Sequence, residues 1–365
     1  MCYNSICGCV SKRTLKPLPF CGGLSLSVEG GRTVSIRIIP IIGDSHTWGE
    51  GVSAEKRFAP AACCGDLRPL PFTPPSYVNL LRDELNRETG SSCAEYEGDA
   101  LLSLCEGKEG SFGLVKEKPL ILDEPFDLAR VFFFATSEEA VVKLTATSPS
   151  GKSTVTETLF SDTTLMSAAV KVAHILPGKG ETAERLTVTC EEDSPAHVYR
   201  VELYRGPYAL VNCGIGSCTA KKFVEQYFDR YITPLSPYAI LFEGCTINDW
   251  LQTPSDLKYA AHLRRMLSAQ RDLTSRVLWH TVTPIGGSQI SGQGTTYNDY
   301  VNTMRSVAAE AGVSLVDCNA EMEAILSAMP GEARAPYFYH DPWHPNGEGH
   351  RLYAEQVWPR LKALL

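Results

Sequence analysis

Four short segments of the chain carry the polar residues that acyl transfer requires, and each follows an apolar run that predicts a strand. They are Gly43-Asp44-Ser45, Asn212–Ser217, Gly244–Asp249 and Asp341–His344. A serine hydroxyl becomes a nucleophile when a neighbouring imidazole takes its proton, and a carboxylate fixes that imidazole in the correct tautomer. N–H groups then stabilise the oxyanion that develops. The residue types in these segments therefore indicate an acyl-transfer site.

The last of these segments has a local sequence that favours a stiff loop. Asp341 precedes Pro342, and His344 precedes Pro345. A residue before proline is pushed towards extended geometry, and proline fixes its own φ. We expect this loop to present an aspartate and a histidine three residues apart in a preorganised arrangement, which suits catalysis.

The segments are placed by an alternation of strands and helices over residues 34–90 and 208–365. The first strand, VSIRIIPII, runs from Val34 to Ile42, and Pro40 predicts an irregular end to it. Ser76 is expected to cap the helix that follows. Such alternation predicts a parallel sheet covered on both faces, and ligands bind beyond the carboxyl ends of its strands.

Residues 91–207 have a different character. Six short runs rich in β-branched residues are separated by turn sequences such as Ser-Gly-Lys and Pro-Gly-Lys-Gly. This pattern predicts an inserted all-β, sandwich-like domain within the α/β domain. Residues 1–33 show no clear periodicity and are not assigned.

At this point a family resemblance is evident. The blocks IIGDSHTWGEGV, NCGIGSCT, INDW and DPWHPNGEGH resemble the four signature blocks of the SGNH, or GDSL-type, esterase and lipase superfamily, in the family's order. The resemblance covers roughly 34–90 and 208–365 and leaves residues 91–207 outside. It implies a flavodoxin-like, three-layer α/β/α fold and a serine hydrolase.

The resemblance also implies a role for each matching residue. Ser45 matches the nucleophile, His344 the general base, Asp341 the carboxylate that orients it, and Asn248 a side-chain donor to the oxyanion. Family members complete the oxyanion hole with the amide of the nucleophile and an amide from the second block. These implied roles form the predicted catalytic set.

The chain departs from the family pattern at two positions. Ser217 stands where the second block has its final glycine, and Thr246 stands where the third block has glycine. The second-block donor is therefore expected to be the amide of either Gly216 or Ser217. A positive φ at Ser217 would be strained, because serine carries a Cβ.

Other polar and aromatic residues near the blocks have open assignments. His46 is expected to be structural or to line the substrate pocket, and Trp48 and Trp343 are expected to line a pocket or simply to pack. Asn248 and the following Asp249 could instead cap the next helix, a role that suits Asp249 better.

The leading hypothesis is a serine esterase that cleaves carboxylic esters, in particular short-chain acyl or carbohydrate O-acetyl esters, through an acyl-enzyme on Ser45. No cofactor and no metal is expected. Lysophospholipase, thioesterase or acyltransferase activity is an alternative that uses the same residues. A non-catalytic binding protein that works through its β-rich insert is an alternative of another class.

Composition limits the remaining possibilities. Lys and Arg number 34 against 42 Asp and Glu, a net charge of −8, which argues against nucleic acid as a partner. No apolar run approaches the roughly 20 residues that span a bilayer. The 13 scattered cysteines form no zinc-ligand pattern, so we expect free thiols and a cytoplasmic location. Oligomeric state is left open.

Overall fold

The structure is a computed structural model of the chain. It describes residues 35–49, 76–97, 113–114, 119–135, 139–160, 170–178, 181–190, 196–285, 295–330 and 343–365. The unassigned segment 1–33 and the predicted catalytic residue Asp341 lie outside these ranges.

A five-stranded parallel sheet forms the centre of the α/β part. Its strands, labelled in chain order, are β1 Arg37–Gly43, β11 Tyr208–Gly214, β12 Ile240–Phe242, β13 Val277–His280 and β14 Ser314–Val316. They pair in the order β11-β1-β12-β13-β14, and every pairing is parallel. Counted within this sheet alone, the order is the flavodoxin-like 2-1-3-4-5, which places the topological switch point between β1 and β12.

Helices cover both faces of this sheet. They are α1 Ser45–Trp48, α2 Tyr77–Thr89, α3 Ala220–Lys222, α4 Phe228–Tyr231, α5 Thr246–Gln252, α6 Asp256–Leu273, α7 Tyr297–Ala311, α8 Cys318–Ala328 and α9 Gly347–Lys362, with a π-helical turn at Phe223–Tyr227 between α3 and α4. Ile38 and Ile42 of β1 pack into the core that contains α6 and α7. Ile39 and Ile41 pack on the opposite face against α2 and α9. The predicted three-layer class is confirmed.

Two antiparallel sheets are built from residues 92–205. Their strands are β2 Ser92–Glu97, β3 Gly113–Leu114, β4 Leu120–Leu122, β5 Leu128–Ala135, β6 Glu139–Ser148, β7 Gly151–Phe160, β8 Val170–Ile175, β9 Arg185–Cys190 and β10 Ala196–Arg205. One sheet has the order β2-β10-β5-β8 with β3 on β10, and the other has the order β4-β9-β6-β7. They share one apolar core, as in a sandwich. The predicted domain boundaries at 90/91 and 207/208 stay a prediction.

Several local expectations can be compared directly. Ser76 caps α2 with a reciprocal capping box to Asn79, as predicted. The prediction of an irregular strand end at Pro40 is wrong, because β1 continues to Gly43 and Pro40 lies opposite Val211. The strand tolerates this proline because β12 pairs with β1 only from Ile41 onwards. Helix α8 was not anticipated.

A buried charge network lies on the face of β5 and β10 that points away from the sandwich core. Glu202 receives hydrogen bonds from Arg130 Nη1 at 3.0 Å and from the Tyr204 hydroxyl at 2.8 Å, and it pairs with Arg200 at 2.9 Å. Burial alone would raise the pKa of Glu202, but the Arg200 and Arg130 charges lower it to about 2. Arg130 also donates to the carbonyl of Asn212 in β11 at 2.8 Å, so the network joins the two kinds of sheet.

Two general features were also expected from composition. The six cysteines that the structure describes are free thiols. In the described part of the chain, no helix combines the length and apolar character that crossing a bilayer requires. The cytoplasmic location stays a prediction.

Replacing Glu202 by Gln is expected to lower the free energy of unfolding by about 3–5 kcal/mol, because it leaves the buried Arg130 without its counter-charge and leaves Arg200 paired with Glu95 alone. Urea denaturation measures this loss. The matched control is Glu310→Gln, which breaks an exposed pair with Arg264 and should cost no more than about 1 kcal/mol. Equal losses in the two variants would contradict a structural role for the buried network.

Candidate active site

The first and last of the four predicted segments meet in space. Helix α1 begins directly after β1, so Ser45 lies at the carboxyl edge of the sheet beside the switch point. Its Oγ lies 2.9 Å from Nε2 of His344, although the two residues are 299 positions apart. Both side chains are nearly buried, with 5% and 7% exposure. This is the distance and orientation needed for a histidine to accept the serine proton.

Asp44 connects the first and third segments through its buried carboxylate. Oδ1 accepts hydrogen bonds from the His46 amide at 3.0 Å and from His46 Nδ1 at 2.9 Å. Oδ2 accepts one from Asn248 Nδ2 at 2.9 Å. Burial would raise the pKa of Asp44, but the His46 charge and these hydrogen bonds lower it below its usual value. The carboxylate is therefore ionised and fully engaged.

His46 is fully buried, so it does not line an open pocket. Besides its contact with Asp44, its Nε2 lies 2.9 Å from the carbonyl oxygen of Trp343. Both partners are acceptors, so both ring nitrogens carry protons and the ring is an imidazolium. Burial would lower the pKa of His46, but the Asp44 charge and hydrogen bond raise it to about 9. The ring also packs on His344, with centroids 5.1 Å apart.

Sequence reasoning missed Glu243, which lies at the end of β12 and supports the nucleophile turn. Its Oε2 accepts hydrogen bonds from the Asp44 amide and the Thr47 hydroxyl, each at 2.8 Å. Burial and the Asp44 charge raise the pKa of Glu243 to about 8. The available signal was a lone acidic residue in the apolar run YAILFEG.

Asp44, His46 and Glu243 also form a cluster whose ligand atoms lie within 4.8 Å of one another. Such a group could hold a metal ion in principle. Hydrogen bonds already occupy both His46 nitrogens and both Asp44 oxygens, so the arrangement fits a charged hydrogen-bonded cluster.

Two of the predicted oxyanion donors, the Ser45 amide and Asn248, lie in the nucleophile turn or contact it. The Ser45 amide belongs to the first turn of α1, where amides have no partner within the helix. Asn248 uses one amide hydrogen for Asp44 and keeps a second for a ligand. Ser217 has a φ of 56°, so the serine that replaces glycine does adopt the left-handed conformation.

The second segment is held by Asn212 and Gly214. Asn212 Nδ2 donates to the carbonyl of Thr47 at 2.8 Å, and its Oδ1 accepts the Gly214 amide at 2.9 Å. A Cβ on Gly214 would lie 2.2 Å from the backbone nitrogen of Trp48, so only glycine fits there. These contacts fix the C-terminal end of α1 against β11.

Trp48, which lines a cavity beside Arg130 and Ile215, and Trp343 both contact neighbouring side chains, so their assignment to a pocket or to packing stays a prediction. Trp48 is 7% exposed, and Trp343 packs on Trp250 with ring centroids 5.8 Å apart. Neither Asn248 nor Asp249 caps α5, whose N-cap Cys245 makes no side-chain cap bond. Asp249 instead accepts the Ala220 amide at 2.6 Å and so ties α5 to α3.

The chain is similar to known proteins in sequence and in fold. Residues 182–352 match the profile of the GDSL-like Lipase/Acylhydrolase family. A solved structure described as a peptidoglycan O-acetylesterase in action aligns with a TM-score of 0.50 and 12% identity, and the alignment covers 90% of this chain and 91% of that one. Axe2, an acetylxylan esterase from Geobacillus stearothermophilus, aligns with a TM-score of 0.36 and 18% identity over 42% of this chain and 72% of its own. No curated protein matches the chain.

The fold and the profile match define an ester-hydrolysing enzyme. The matched range 182–352 holds the second, third and fourth blocks, in agreement with their resemblance to the SGNH/GDSL esterase and lipase superfamily, and the first block with Ser45 lies outside it. The alternative of a binding protein without enzymatic activity is thereby set aside.

The charge on His46 predicts a loss of stability at alkaline pH. The pKa of His46 is about 9 in the folded state and 6.5 in the unfolded chain. The charged ring therefore stabilises the fold fully below pH 6.5, and this contribution to the free energy of unfolding disappears as pH rises through 9. The difference in free energy of unfolding between wild type and His46→Gln should shrink by about 3 kcal/mol from pH 6.5 to pH 10. Urea titrations at both pH values measure it, and a difference that does not change with pH would contradict the imidazolium assignment.

Proposed function

We propose that the protein is a serine esterase that removes short-chain acyl groups, and in particular O-acetyl groups from carbohydrates, through an acyl-enzyme on Ser45. The observation that carries the proposal is the 2.9 Å contact between Ser45 Oγ and His344 Nε2 at the carboxyl edge of the sheet. Asp341, three residues before His344, is proposed as the carboxylate that orients the imidazole.

In the proposed acylation step, His344 takes the proton from Ser45 as Oγ attacks the ester carbonyl. The tetrahedral intermediate collapses, its C–O bond breaks, and the leaving alcohol receives the proton from His344. Water then attacks the acyl-enzyme with His344 as base, which releases the acid and restores Ser45.

The oxyanion of each tetrahedral intermediate is proposed to accept hydrogen bonds from the Ser45 amide, an amide of Gly216 or Ser217, and Asn248 Nδ2. The Asp44 carboxylate fixes the asparagine amide in position before substrate arrives. Because these donors are already oriented, they cost little reorganisation when the charge develops.

His46 is proposed as a positioning residue for this chemistry. It bonds Asp44, next to the nucleophile, and the carbonyl of Trp343, next to the base. One cation therefore holds the two reacting segments at a fixed separation. Preorganisation of this kind supplies part of the catalytic advantage.

The proposal of an acetyl substrate rests on less evidence than the proposal of a serine esterase. The structural neighbour that aligns over most of both chains is described as a peptidoglycan O-acetylesterase, and the fold it shares with this chain includes the β-rich part. Lysophospholipase, thioesterase and acyltransferase activities use the same catalytic groups and remain the alternatives to be tested. Aryl esters from acetate to octanoate, assayed beside an acetylated polysaccharide, separate these alternatives.

Replacing Ser45 by Ala is expected to lower kcat for 4-nitrophenyl acetate by roughly 10⁴-fold or more, because no nucleophile remains to form the acyl-enzyme. Fluorophosphonate labelling of the protein should also disappear. The matched control is Ser306→Ala, an exposed serine on α7, which should retain full activity and labelling. Activity that persists without Ser45 would refute the proposed nucleophile.

Replacing Asn248 by Ala is expected to reduce kcat by about 10²–10³-fold, because it removes a donor that stabilises charge only in the transition state. KM should change little, since the ground-state carbonyl gains less from that donor. Steady-state kinetics with 4-nitrophenyl acetate measure both quantities. A rise in KM with kcat unchanged would instead assign Asn248 to substrate binding.

A further inference from the structure

A polar groove lies between α7 and α8, and we call it the α7–α8 groove. It has a volume of about 490 Å³ and is lined by polar side chains, among them Asn298, Asn302, Arg305, Asn319 and Glu323. Pocket volumes of roughly 300–1,000 Å³ are typical of small-molecule sites. Nothing in the proposed acyl-transfer chemistry uses these residues.

Arg305 organises the groove through a fork of hydrogen bonds. Its Nη1 donates to Asn302 Oδ1 at 2.7 Å, and its Nη2 donates to Asn319 Oδ1 at 3.2 Å. Because guanidinium is a donor only, both asparagines must give it their oxygen and turn their NH₂ groups elsewhere. The Asn319 Nδ2 atom is buried without a hydrogen-bond partner among the described residues. This unpaired donor costs folding free energy, and because it has no exposed surface it does not contact the groove.

The charges in the groove select against an anionic ligand. The Arg305 charge is matched by Asp317, which accepts from Nε at 2.8 Å and from Nη2 at 2.9 Å. Glu323 then adds an acidic group at the exposed rim. Amide donors, a carboxylate acceptor and no surplus positive charge suit a neutral ligand with many hydroxyl groups. The polar lining equally disfavours an acyl chain.

The groove lies on the same side of the sheet as the nucleophile. Its wall begins with Pro284, which follows β13, and continues into the first turn of α8, which follows β14. An aromatic series connects the two places. Trp343, next to His344, packs on Trp250, and Trp250 packs on Tyr297 of the groove with centroids 5.7 Å apart. These ring contacts place the groove and the residue next to His344 in one packed series at the carboxyl edge of the sheet.

We infer that the α7–α8 groove binds unmodified sugar units of an oligosaccharide whose acetylated unit occupies the site at Ser45. This inference rests on the proposed carbohydrate esterase function and deepens it. It assigns a neutral glycan as the ligand, with the amide group of the exposed Asn302 as a donor to sugar oxygens.

Isothermal titration with xylohexaose and with chitohexaose tests the inference, because neither probe carries an O-acetyl ester and neither requires turnover. One of the two is expected to bind the wild-type enzyme, and Asn302→Ala should weaken that binding about 3- to 10-fold, the range for one hydrogen bond. Asn302 is exposed, so its replacement should not disturb the fold. Arg305→Lys, which cannot hold both amides, should weaken binding at least as much. The matched control Ser306→Ala lies outside the groove and should bind normally.

A kinetic comparison provides an independent readout. The ratio of kcat/KM for an acetylated hexasaccharide to kcat/KM for 4-nitrophenyl acetate should fall about 3- to 10-fold in Asn302→Ala. An unchanged ratio, or no binding of either hexasaccharide to the wild-type enzyme, would overturn the inference. Failure of the proposed esterase function would be seen separately, as the lack of any Ser45-dependent hydrolysis of 4-nitrophenyl acetate.

Discussion

The arrangement at the nucleophile depends on one buried ion pair, between the carboxylate of Asp44 and the imidazolium of His46. A buried charge is expensive unless it is paired and hydrogen-bonded, and here each partner is satisfied by groups from distant parts of the chain. The carboxylate holds Asn248, and the imidazolium holds the carbonyl of Trp343 beside His344. If either ion were lost, the other would remain buried without its partner. The geometry of the nucleophile, a proposed oxyanion donor and the proposed base is therefore fixed by the same electrostatic requirement.

A second set of buried charges connects the β-rich part of the chain to this centre. Arg130 lies in an antiparallel sheet, yet it donates to the carbonyl of Asn212, whose side-chain amide in turn holds the carbonyl of Thr47 in α1. The partner of Arg130 is Glu202, also fully buried. The β-rich part is thus linked to the nucleophile turn by consecutive hydrogen bonds as well as by apolar contacts. A rigid support of this kind keeps α1 in place without contributing an atom to the proposed reaction.

The sequence predicted best those residues whose side chains suit catalysis and which follow an apolar run typical of a strand. Apolar runs predicted the parallel strands, and the polar residues after β1 and β12 located Ser45 and Asn248 at one edge, while His344 was found from the last block. The supporting groups were harder to foresee. A buried glutamate such as Glu243 looks like any acidic residue in the sequence, and its role follows only from the amide and hydroxyl that surround it in three dimensions. His46 was interpreted as structural or pocket-lining because residues adjacent to a nucleophile point away from it. That direction is what allows it to reach the Trp343 carbonyl.

The strand order explains why the proposed reaction and the proposed glycan site occupy one edge. In a sheet of this order, the strand that follows β1 in the sequence lies on one side of it and the later strands lie on the other. The loops after β1 and β12 therefore lead to opposite faces of the sheet and leave a crevice between them. Ser45 and Asn248 follow those two strands. The next strands in the same direction, β13 and β14, end beside the α7–α8 groove. A long neutral ligand that lies across successive strand ends can therefore place one unit at the nucleophile and others between α7 and α8, whereas a short ester can occupy only the crevice. The parallel order of the sheet, and not any single side chain, therefore places the proposed reaction and the proposed glycan site at the same edge.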